Sequence, residues 1–191
     1  LLGVDGSSGS RAINTAIRDL LPELIKNYNV IHLCGKGNVD ASLNAIAGYA
    51  QFEYANEELA DLVALCSLVI FKQFEYIKAE LKDIFAMADV VISRAGANAI
   101  CELLALRKPN ILIPLPAAAS RGDQILNANS FRSQGFSYVL EEEELTNTTL
   151  LEAIDHVFHK KDAYIDAMEH SKVTNSIETI MGLIREASSH K

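Results

Sequence analysis

A ten-residue stretch in the middle of the chain combines groups that suit a phosphate with one that does not. Residues 93–102 read Ser-Arg-Ala-Gly-Ala-Asn-Ala-Ile-Cys-Glu, between an apolar run at 89–92 and an apolar helix that ends before Pro109. A strand-to-helix turn of this kind offers free backbone N–H groups and a positive helix end to a phosphate, and Gly96 lets the backbone come close to it. Glu102 instead suits the two hydroxyls of a sugar diol, because a carboxylate accepts several hydrogen bonds. The stretch therefore predicts a sugar-nucleotide site.

A second strand-to-helix junction lies at the start of the chain. The apolar residues 1–4 lead into a Gly/Ser loop, and the loop opens an amphipathic helix that begins at Ala12 and ends near Lys26. Such a loop either cradles a phosphate with its N–H groups or forms an ordinary tight turn, and both interpretations stay open here. Its sequence fits neither a nucleoside-triphosphate loop nor a dinucleotide fingerprint. The candidate phosphate contacts are Gly6, Ser7, Ser8 and Gly9.

A third junction carries polar side chains at the start of a helix. Asp123, Gln124 and Asn127 follow a small-residue loop at 117–122, and the two amides share one helix face. They either cap and solvate the helix or recognise sugar hydroxyls, since an amide both donates and accepts hydrogen bonds. His32, in a predicted strand, is also open to two interpretations: a hydrogen-bonded residue of the sheet, or a residue near the ligand.

Strands alternate with helices along the chain, which positions these junctions. The pattern predicts an α/β fold with a doubly wound, Rossmann-like parallel sheet. In such a sheet the three junctions converge on one crevice at the carboxyl ends of the strands. The acidic run at 141–144 is expected to be a solvated loop or helix start. The predicted strands include 1–4, 29–34, 89–92, 109–116 and 137–140, and helices are predicted at 12–26, 100–106, 123–129 and twice within 148–187.

An internal repeat precedes the central stretch. Residues 49–70 and 71–92 match at an offset of 22, and the sequence Gln-Phe-Glu-Tyr recurs intact in both copies. Each copy has the pattern strand, helix, strand, which indicates a local duplication rather than a solenoid, since a solenoid needs at least about three repeats. Because only the second copy leads into Ser93, we expect it to carry the functional geometry.

Composition narrows the class of protein. The net charge of −8 argues against a nucleic-acid-binding protein, which presents a basic face. No apolar run reaches the ~18–20 residues of a membrane span. Cys34, Cys66 and Cys101 lie far apart in apolar segments and are expected to be reduced and buried. Because the chain begins inside a predicted strand, we expect an amino-terminal lobe that is absent from it.

Four motifs, taken in order, resemble those of a known enzyme family. They are Gly6-Ser7-x-Gly9-x-Arg11-x-x-Asn14, His32-x-x-Gly35-Lys36, the Ser-Arg-Ala-Gly-Ala stretch with Glu102, and Asp123-Gln124-x-x-Asn127-Ala128. Together they resemble the carboxy-terminal, donor-binding lobe of the MurG glycosyltransferases, which are two-lobed enzymes of the GT-B type. These are bacterial N-acetylglucosaminyltransferases of peptidoglycan synthesis. The resemblance covers essentially the whole chain.

The resemblance implies a function and a role for each candidate residue. The family moves N-acetylglucosamine from UDP-N-acetylglucosamine to the muramoyl-pentapeptide of a polyprenyl-diphosphate lipid, with inversion at the anomeric carbon. It implies that residues 1–191 form the donor-binding domain, that the polyprenyl-linked acceptor and the catalytic base belong to the absent lobe, and that no metal or other cofactor is needed. It also implies a cytoplasmic protein at the inner face of the cell membrane, with the membrane contact made by the other lobe. The implied donor contacts are Glu102 for the ribose, Ser7, Gly96, Ala97 and Asn98 for the diphosphate, Asp123, Gln124 and Asn127 for the sugar, and Tyr76 and Ile77 for the uracil.

The chain departs from the family pattern at two points. The family has one Gln-Phe-Glu-Tyr unit before the turn at 93–97, whereas this chain has two, and Asp123 stands where a neutral or basic residue is usual. Three alternatives stay open beside the transferase lobe. The chain could belong to another nucleotide-sugar enzyme, such as a different GT-B transferase or an epimerase. It could be a separate donor-binding subunit with an acceptor-binding partner, or a folded domain that the repeat has deprived of binding.

Overall fold

A computed structural model describes residues 2–4, 10–43, 71–77 and 81–171, and these form one parallel sheet flanked by helices. The strands are β1 (Leu2–Val4), β2 (Val30–Leu33), β3 (Phe71–Phe74), β4 (Val91–Ser93), β5 (Asn110–Leu112) and β6 (Tyr138–Val139). Their order is β3-β2-β1-β4-β5-β6, and every neighbouring pair is parallel. The chain thus crosses from one half of the sheet to the other after β3, and the order of the strands reverses between the neighbours β1 and β4. The predicted doubly wound, Rossmann-like α/β sheet is confirmed.

Helices follow the strands and cover both faces of the sheet. They are α1 (Arg11–Leu24), α2 (Leu81–Met87), α3 (Ala97–Ala105), α4 (Asp123–Ser133), α5 (Asn147–His159) and α6 (Lys161–Glu169). Short 3₁₀ turns lie at Ala41–Leu43 and Glu142–Glu144. The predicted helices at 12–26, 100–106 and 123–129 all form with bounds within four residues of those expected. Two helices were expected within 148–187, and α5 and α6 form there, with α5 beginning one residue earlier at Asn147.

One face of the sheet packs against α1 and α5. The apolar side of α1 is fully buried there, and its buried residues recur at intervals of three or four, as an amphipathic helix requires. Alternate strand residues point into this layer, so that Ile92 of β4 and Ile111 of β5 lie in it, whereas Val91 and Leu112 do not. The cluster also includes Ile13, Ile17, Leu21, Leu24, Val30, Phe71, Leu150, Ile154 and Val157.

The opposite face packs against the other four helices. Val91 and Leu112 point into this second layer because successive side chains of a strand alternate between its faces. The helices contribute Ile84 and Phe85 from α2, Ile100 and Leu103 from α3, Ala128 and Phe131 from α4, and Met168 from α6. With both faces covered, the strands β4 and β5 are buried at every position, which is typical of the centre of an all-parallel sheet.

The second copy of the repeat forms β3, α2 and the start of β4. Its strand β3 pairs with β2 through the register Val30↔Phe71 to Leu33↔Phe74, and its end leads into Ser93, the last residue of β4. The predicted order of strand, helix and strand is confirmed for this copy, apart from residues 78–80, which lie outside the described residues. The first copy, 49–70, lies outside them as well.

The cysteines were expected to be buried, and this is true of one of the two that the structure describes. Cys34 is buried as expected, but the prediction is wrong for Cys101, which is exposed. Cys101 lies between the buried residues Ile100 and Leu103 of α3 and points away from the core that these two face. Cys66 is outside the described residues. In the part of the chain that the structure describes, no helix is long and apolar enough to cross a bilayer.

Candidate functional site

The crevice of interest lies at the carboxyl ends of β1 and β4, where the order of the strands reverses. In open α/β sheets ligands bind outside the carboxyl ends of the strands at this switch point. Here α1 begins at Arg11 after its N-cap Ser10, and α3 begins at Ala97 after Gly96. The candidate phosphate residues Gly6, Ser7, Ser8 and Gly9 fall outside the described residues. The described part of the crevice therefore consists of the residues around them.

The start of α3 is open. Gly96 is the N-cap with φ −68° and ψ 145°, and no side chain caps the first turn. A Cβ placed on Gly96 would meet nothing within 4 Å. Neither a positive φ nor packing therefore requires glycine here. A residue without a side chain leaves the free N–H groups of the first helical turn accessible. Ala97 and Asn98 are both exposed beside this opening.

Glu102 stands one helical turn beyond the opening. It is exposed on α3, and its carboxylate makes no hydrogen bond or ion pair with any other described residue. Asn98 and Glu102 are spaced i, i+4, which puts them on the same helix face at a separation of about 6 Å along the axis. If one part of a ligand binds at the start of α3, the carboxylate of Glu102 is free to accept hydrogen bonds from the neighbouring part of the same ligand.

Arg94 connects the junctions behind the crevice. Its guanidinium is buried and donates from Nη1 to the carbonyls of Ile113 (3.0 Å) and Pro114 (3.2 Å) at the end of β5. From Nη2 it donates to the Ser10 hydroxyl at 2.5 Å and forms an ion pair with Glu142. Four segments that are distant in sequence meet at this one side chain. The predicted solvated role of the acidic run at 141–144 is wrong for Glu142, because its side chain is only a quarter exposed.

The amides of α4 brace the loops on either side of the crevice. Asn127 Nδ2 donates to the carbonyl of Ala95 at 3.0 Å, and Gln124 Oε1 accepts from the Leu115 N–H at 3.2 Å. The capping interpretation is wrong, because the N-cap of α4 is Gly122 and no side chain caps that helix. Gln124 Nε2 makes no hydrogen bond to any described residue, and Asp123 is exposed, so donors and acceptors for a ligand remain here.

The carboxyl ends of β2 and β3 are tied together beside the crevice. Glu75 Oε1 accepts from the N–H of Gly37 at 2.8 Å, and the Gln73 amide bonds both the N–H and the carbonyl of Asp40. Tyr76 follows β3 and is 52% exposed, whereas Ile77 is partly buried against the second core layer. The two predicted uracil neighbours thus sit at the end of β3 in different surroundings.

His32 belongs to a buried network under the start of α1. Its Nε2 lies 2.8 Å from Asn14 Oδ1, and Asn14 Nδ2 donates to the carbonyl of Cys34 at 2.9 Å. Burial, assisted by the nearby Arg18 guanidinium, lowers the pKa of His32 to about 4. The interpretation of His32 as a hydrogen-bonded residue of the sheet is confirmed. The network fixes the second turn of α1 to the end of β2.

Sequence reasoning missed the residues that act from behind the site. Arg94 and Asn14 lie within the quoted motifs, but no role was predicted for either side chain, and Glu142 and Ser10 were not singled out at all. The signal that could have found Ser10 is its position one residue before a predicted helix, where a serine caps the first turn. Its hydroxyl does accept from the Ile13 N–H at 3.3 Å. For metals, no group of three or more His, Cys, Asp or Glu among the described residues could hold an ion.

Comparison with known proteins assigns the fold and the domain. Residues 4–181 match the glycosyltransferase family 28 C-terminal domain. Among solved structures, MurG of Acinetobacter baumannii superposes with a TM-score of 0.70 at 22% identity, covering 97% of this chain and 49% of that one. A solution structure of ALG13 superposes with a TM-score of 0.54 at 17% identity and covers 84% of this chain and 85% of that one. These likenesses show the fold, which is that of one lobe of a GT-B glycosyltransferase.

Relatives of known name are much closer in sequence. A protein of Lachnoclostridium phytofermentans named UDP-N-acetylglucosamine–N-acetylmuramyl-(pentapeptide) pyrophosphoryl-undecaprenol N-acetylglucosamine transferase is 56% identical over 186 residues, which is 97% of this chain and 46% of the relative. A protein of the same name from Clostridium perfringens is 48% identical over 98% of this chain and 46% of its own length. The chain thus spans about half the length of the curated relatives it matches. With the family match extending over nearly all of its residues, the chain belongs to the glycosyltransferase family 28 C-terminal domain.

Proposed function

We propose that the chain is the donor-binding domain of an inverting N-acetylglucosaminyltransferase of peptidoglycan synthesis. The reaction is transfer of N-acetylglucosamine from UDP-N-acetylglucosamine to undecaprenyl-diphosphate-N-acetylmuramoyl-pentapeptide. The observation that carries the proposal is the 56% identity to a transferase of that name over 97% of this chain. The open start of α3 beside the free carboxylate of Glu102 supports it independently.

The proposal assigns each part of the donor to a group of candidate residues. The diphosphate would lie at Gly96, Ala97 and Asn98, where unpaired N–H groups and the positive helix end favour an anion. The ribose hydroxyls would donate to Glu102, one turn further along α3. The remaining proposed contacts are Ser7 within the loop Gly6, Ser7, Ser8 and Gly9 for the phosphates, Asp123, Gln124 and Asn127 for the sugar, and Tyr76 and Ile77 for the uracil.

The chemistry that this domain supplies is stabilisation of the leaving group. When the bond from the anomeric carbon to the diphosphate breaks, negative charge develops on the diphosphate oxygens. Backbone donors that already point at these oxygens stabilise that charge without reorganising, which is how fixed dipoles lower a barrier. The acceptor hydroxyl must attack from the opposite face of the sugar, and the base that deprotonates it belongs to a second lobe. The residues 1–191 form the donor-binding domain, and the lipid-linked acceptor and the inner face of the membrane are contacted through that second lobe.

Titration of the chain with UDP-N-acetylglucosamine and with UDP by calorimetry tests the proposal. We expect both to bind, and Glu102→Ala to weaken the binding of each by about 100-fold or more, because a hydrogen bond to a charged carboxylate contributes about 1.5–3 kcal/mol and the ribose would make two of them. Glu152→Ala is the matched control, since Glu152 is exposed on α5 at the other face of the sheet. Absence of binding by the wild-type chain, or equal losses in the two variants, would contradict the proposal.

A domain of another UDP-sugar enzyme is the second candidate. It is favoured by the exposed carboxylate of Asp123, at a position where the family resemblance leads one to expect a neutral or basic residue. SnogD, a glycosyltransferase of another name from Streptomyces nogalater, also has this fold, with a TM-score of 0.57 at 17% identity. A panel of UDP-sugars distinguishes the two candidates, because a preference for N-acetylglucosamine supports the first and a preference for another sugar supports the second.

A further inference from the structure

Arg94 has no exposed N–H group for a ligand. Nη1 donates to the carbonyls of Ile113 and Pro114, and Nη2 donates to the Ser10 hydroxyl and forms the ion pair with Glu142. The remaining donor, Nε, has no partner among the described residues, but it is buried. Although an arginine beside a predicted diphosphate site suggests a direct phosphate contact, both Nη atoms of this guanidinium face protein groups.

The charge of Arg94 is also balanced within the protein. The side chain of Arg94 is 10% exposed and that of its ion-pair partner Glu142 is 25% exposed. A buried ion pair is costly to break, because removing one partner leaves the other charged and desolvated. Glu142 therefore holds Arg94 in place and neutralises it towards the crevice.

The groups that Arg94 joins are the walls of the donor site. Ser10 is the N-cap of α1 and follows directly after the Gly/Ser loop, while Ile113 and Pro114 come directly after β5. Arg94 itself precedes Ala95 and Gly96, which lead into α3. One side chain thus sets the distance between the start of α1, the start of α3 and the end of β5.

We propose that Arg94 and Glu142 form a positioning pair that aligns the phosphate-binding backbone of the site without contacting the diphosphate. This inference rests on the proposed donor binding. A positioning pair and a direct phosphate contact predict changes of opposite sign in the affinity for UDP when Glu142 is neutralised. If Arg94 were a phosphate ligand, neutralising Glu142 would free its charge and tighten the binding of UDP. In a positioning pair the same change releases Arg94 from its place and weakens the binding.

Glu142→Gln tests the sign, and Glu143→Gln is its matched control. Both variants remove one negative charge from the same acidic turn, but Glu143 is exposed and makes no ion pair with any described residue. We expect Glu142→Gln to bind UDP about tenfold more weakly than Glu143→Gln, as for the loss of about 1.4 kcal/mol. Equal or tighter binding by Glu142→Gln overturns the positioning pair.

Ser10→Ala provides a second test that does not alter charge. It removes the hydroxyl that accepts from Arg94 and also the N-cap of α1, so Thr146→Ala, which removes the N-cap of α5, is the control for lost helix stability. We expect Ser10→Ala, and not Thr146→Ala, to weaken UDP binding about fivefold or more. Equal UDP affinities in these two variants contradict the inference.

The affinity for uridine, measured by NMR titration, separates positioning from general damage. Uridine lacks the diphosphate, so we expect the ratio of UDP affinity to uridine affinity to fall in Glu142→Gln and Ser10→Ala. A merely structural role would lower both affinities together and leave the ratio unchanged, which overturns the proposal. If the wild-type chain binds neither ligand, the proposed function fails instead, so the two failures are distinguishable.

Discussion

His32 is held in the neutral state chiefly by its burial, and a second proton on its ring would find no acceptor among the described residues. Because Asn14 Nδ2 donates to the Cys34 carbonyl, Asn14 must turn its oxygen towards His32, and the proton lies on His32 Nε2. Nδ1 is buried and has no partner among the described residues. A second proton on Nδ1 would therefore lack an acceptor, and this agrees with the low pKa of about 4.

The neutral His32 predicts that the chain loses stability in mild acid. Its pKa is about 4 in the folded protein, against an ordinary value of 6.5, so the unfolded chain binds more protons between these two values. The contribution is fully present above pH 6.5 and is lost as the pH falls towards 4. At 1.36 kcal/mol per unit of pKa the loss is about 3 kcal/mol at most. Urea unfolding between pH 7 and pH 4 measures it.

Substitution of His32 isolates its share of this pH dependence. Carboxylates titrate in part of the same range, so the comparison is between His32→Gln and His159→Gln, since His159 is exposed on α5. We expect a flatter dependence of the unfolding free energy on pH for His32→Gln alone. Parallel curves for the wild type and His32→Gln would show that His32 does not carry the effect.

At the scale of single residues, the sequence indicated exposed candidate residues but not the residues that support them. Glu102 and Asp123 were singled out from their residue type and position and Asn98 through the family resemblance, and each is exposed. The pair of Arg94 and Glu142 was not predictable, because the acidic run looks uniform and nothing in it indicates which residue lies beneath the loops. Such contacts depend on tertiary packing, on which neither periodicity nor motif spacing gives information.

Helices α3 and α4 end in the same hydrogen-bond pattern with different residues. In α3 the N–H of Arg107 bonds to the carbonyl of Leu104, and that of Lys108 bonds to the carbonyl of Leu103. In α4, Gly135 and the following residue make the equivalent bonds. This pattern needs a left-handed residue, which glycine adopts without cost. Gly135 has φ 74°, and Arg107 has φ 51°, the one positive φ among the described residues other than glycine.

Exchanging the residue types at these two ends should move stability in opposite directions. Arg107→Gly is expected to be about 1 kcal/mol more stable than Arg107→Ala, because the left-handed conformation costs a residue with a Cβ about 1–2 kcal/mol. Both variants lose the exposed Arg107–Glu169 ion pair, so the comparison cancels that loss. Gly135→Ala should destabilise by a similar amount.

Urea denaturation of the three variants and the wild type measures these differences. At Gly135 the added Cβ would lie 3.7 Å from the Cβ of Ala167, an ordinary contact, so any loss there comes from the backbone and not from a clash. Equal stability of Arg107→Gly and Arg107→Ala would mean that the end of α3 relaxes out of the left-handed conformation without cost.

The elements were largely predictable, but their ends were less so. Apolar β-branched runs predicted the strands at 89–92 and 109–116, yet the ladder keeps only Val91–Ser93 and Asn110–Leu112. An apolar run indicates which residues are buried, whereas the bounds of a strand depend on backbone hydrogen bonds to its neighbours. The run and the strand have the same length only where a neighbouring strand is long enough to pair with the whole run. The hydrogen bonds that Gln124 and Asn127 make to the neighbouring loops are harder still to predict from the sequence, because they depend on how two loops pack together.

The whole molecule separates the groups that stabilise it from those that would bind the donor. Stability comes from two apolar layers on opposite faces of the sheet. The candidate site lies at the carboxyl edge between them and is built from helix starts and exposed polar side chains. Sequence alternation predicted this architecture, but not the strand order that brings β1 and β4 side by side. The strand order depends on which connections cross the sheet. The repeat at 49–70 and 71–92 makes the order harder to predict, because it offers two similar segments for one place in the sheet.

This separation predicts that stability and ligand response can be removed independently. UDP at about 100 times its Kd should stabilise the folded chain by about 2.7 kcal/mol, because it binds the folded state alone, and so raise Tm by about 5–10 °C.

Ile154→Ala, in the layer under α5 where Ile154 is fully buried, should cost about 2–5 kcal/mol and lower Tm with or without UDP. Its increment with UDP should remain that of the wild type. Glu102→Ala should do the reverse: its unfolding free energy without ligand should stay within about 0.5 kcal/mol of the wild type, while it loses most of the increment with UDP. Thermal melts of the three proteins over a series of UDP concentrations measure both quantities. A UDP increment that falls in Ile154→Ala as far as in Glu102→Ala would mean that the core and the site are coupled, and that the crevice is not an independent part of the fold.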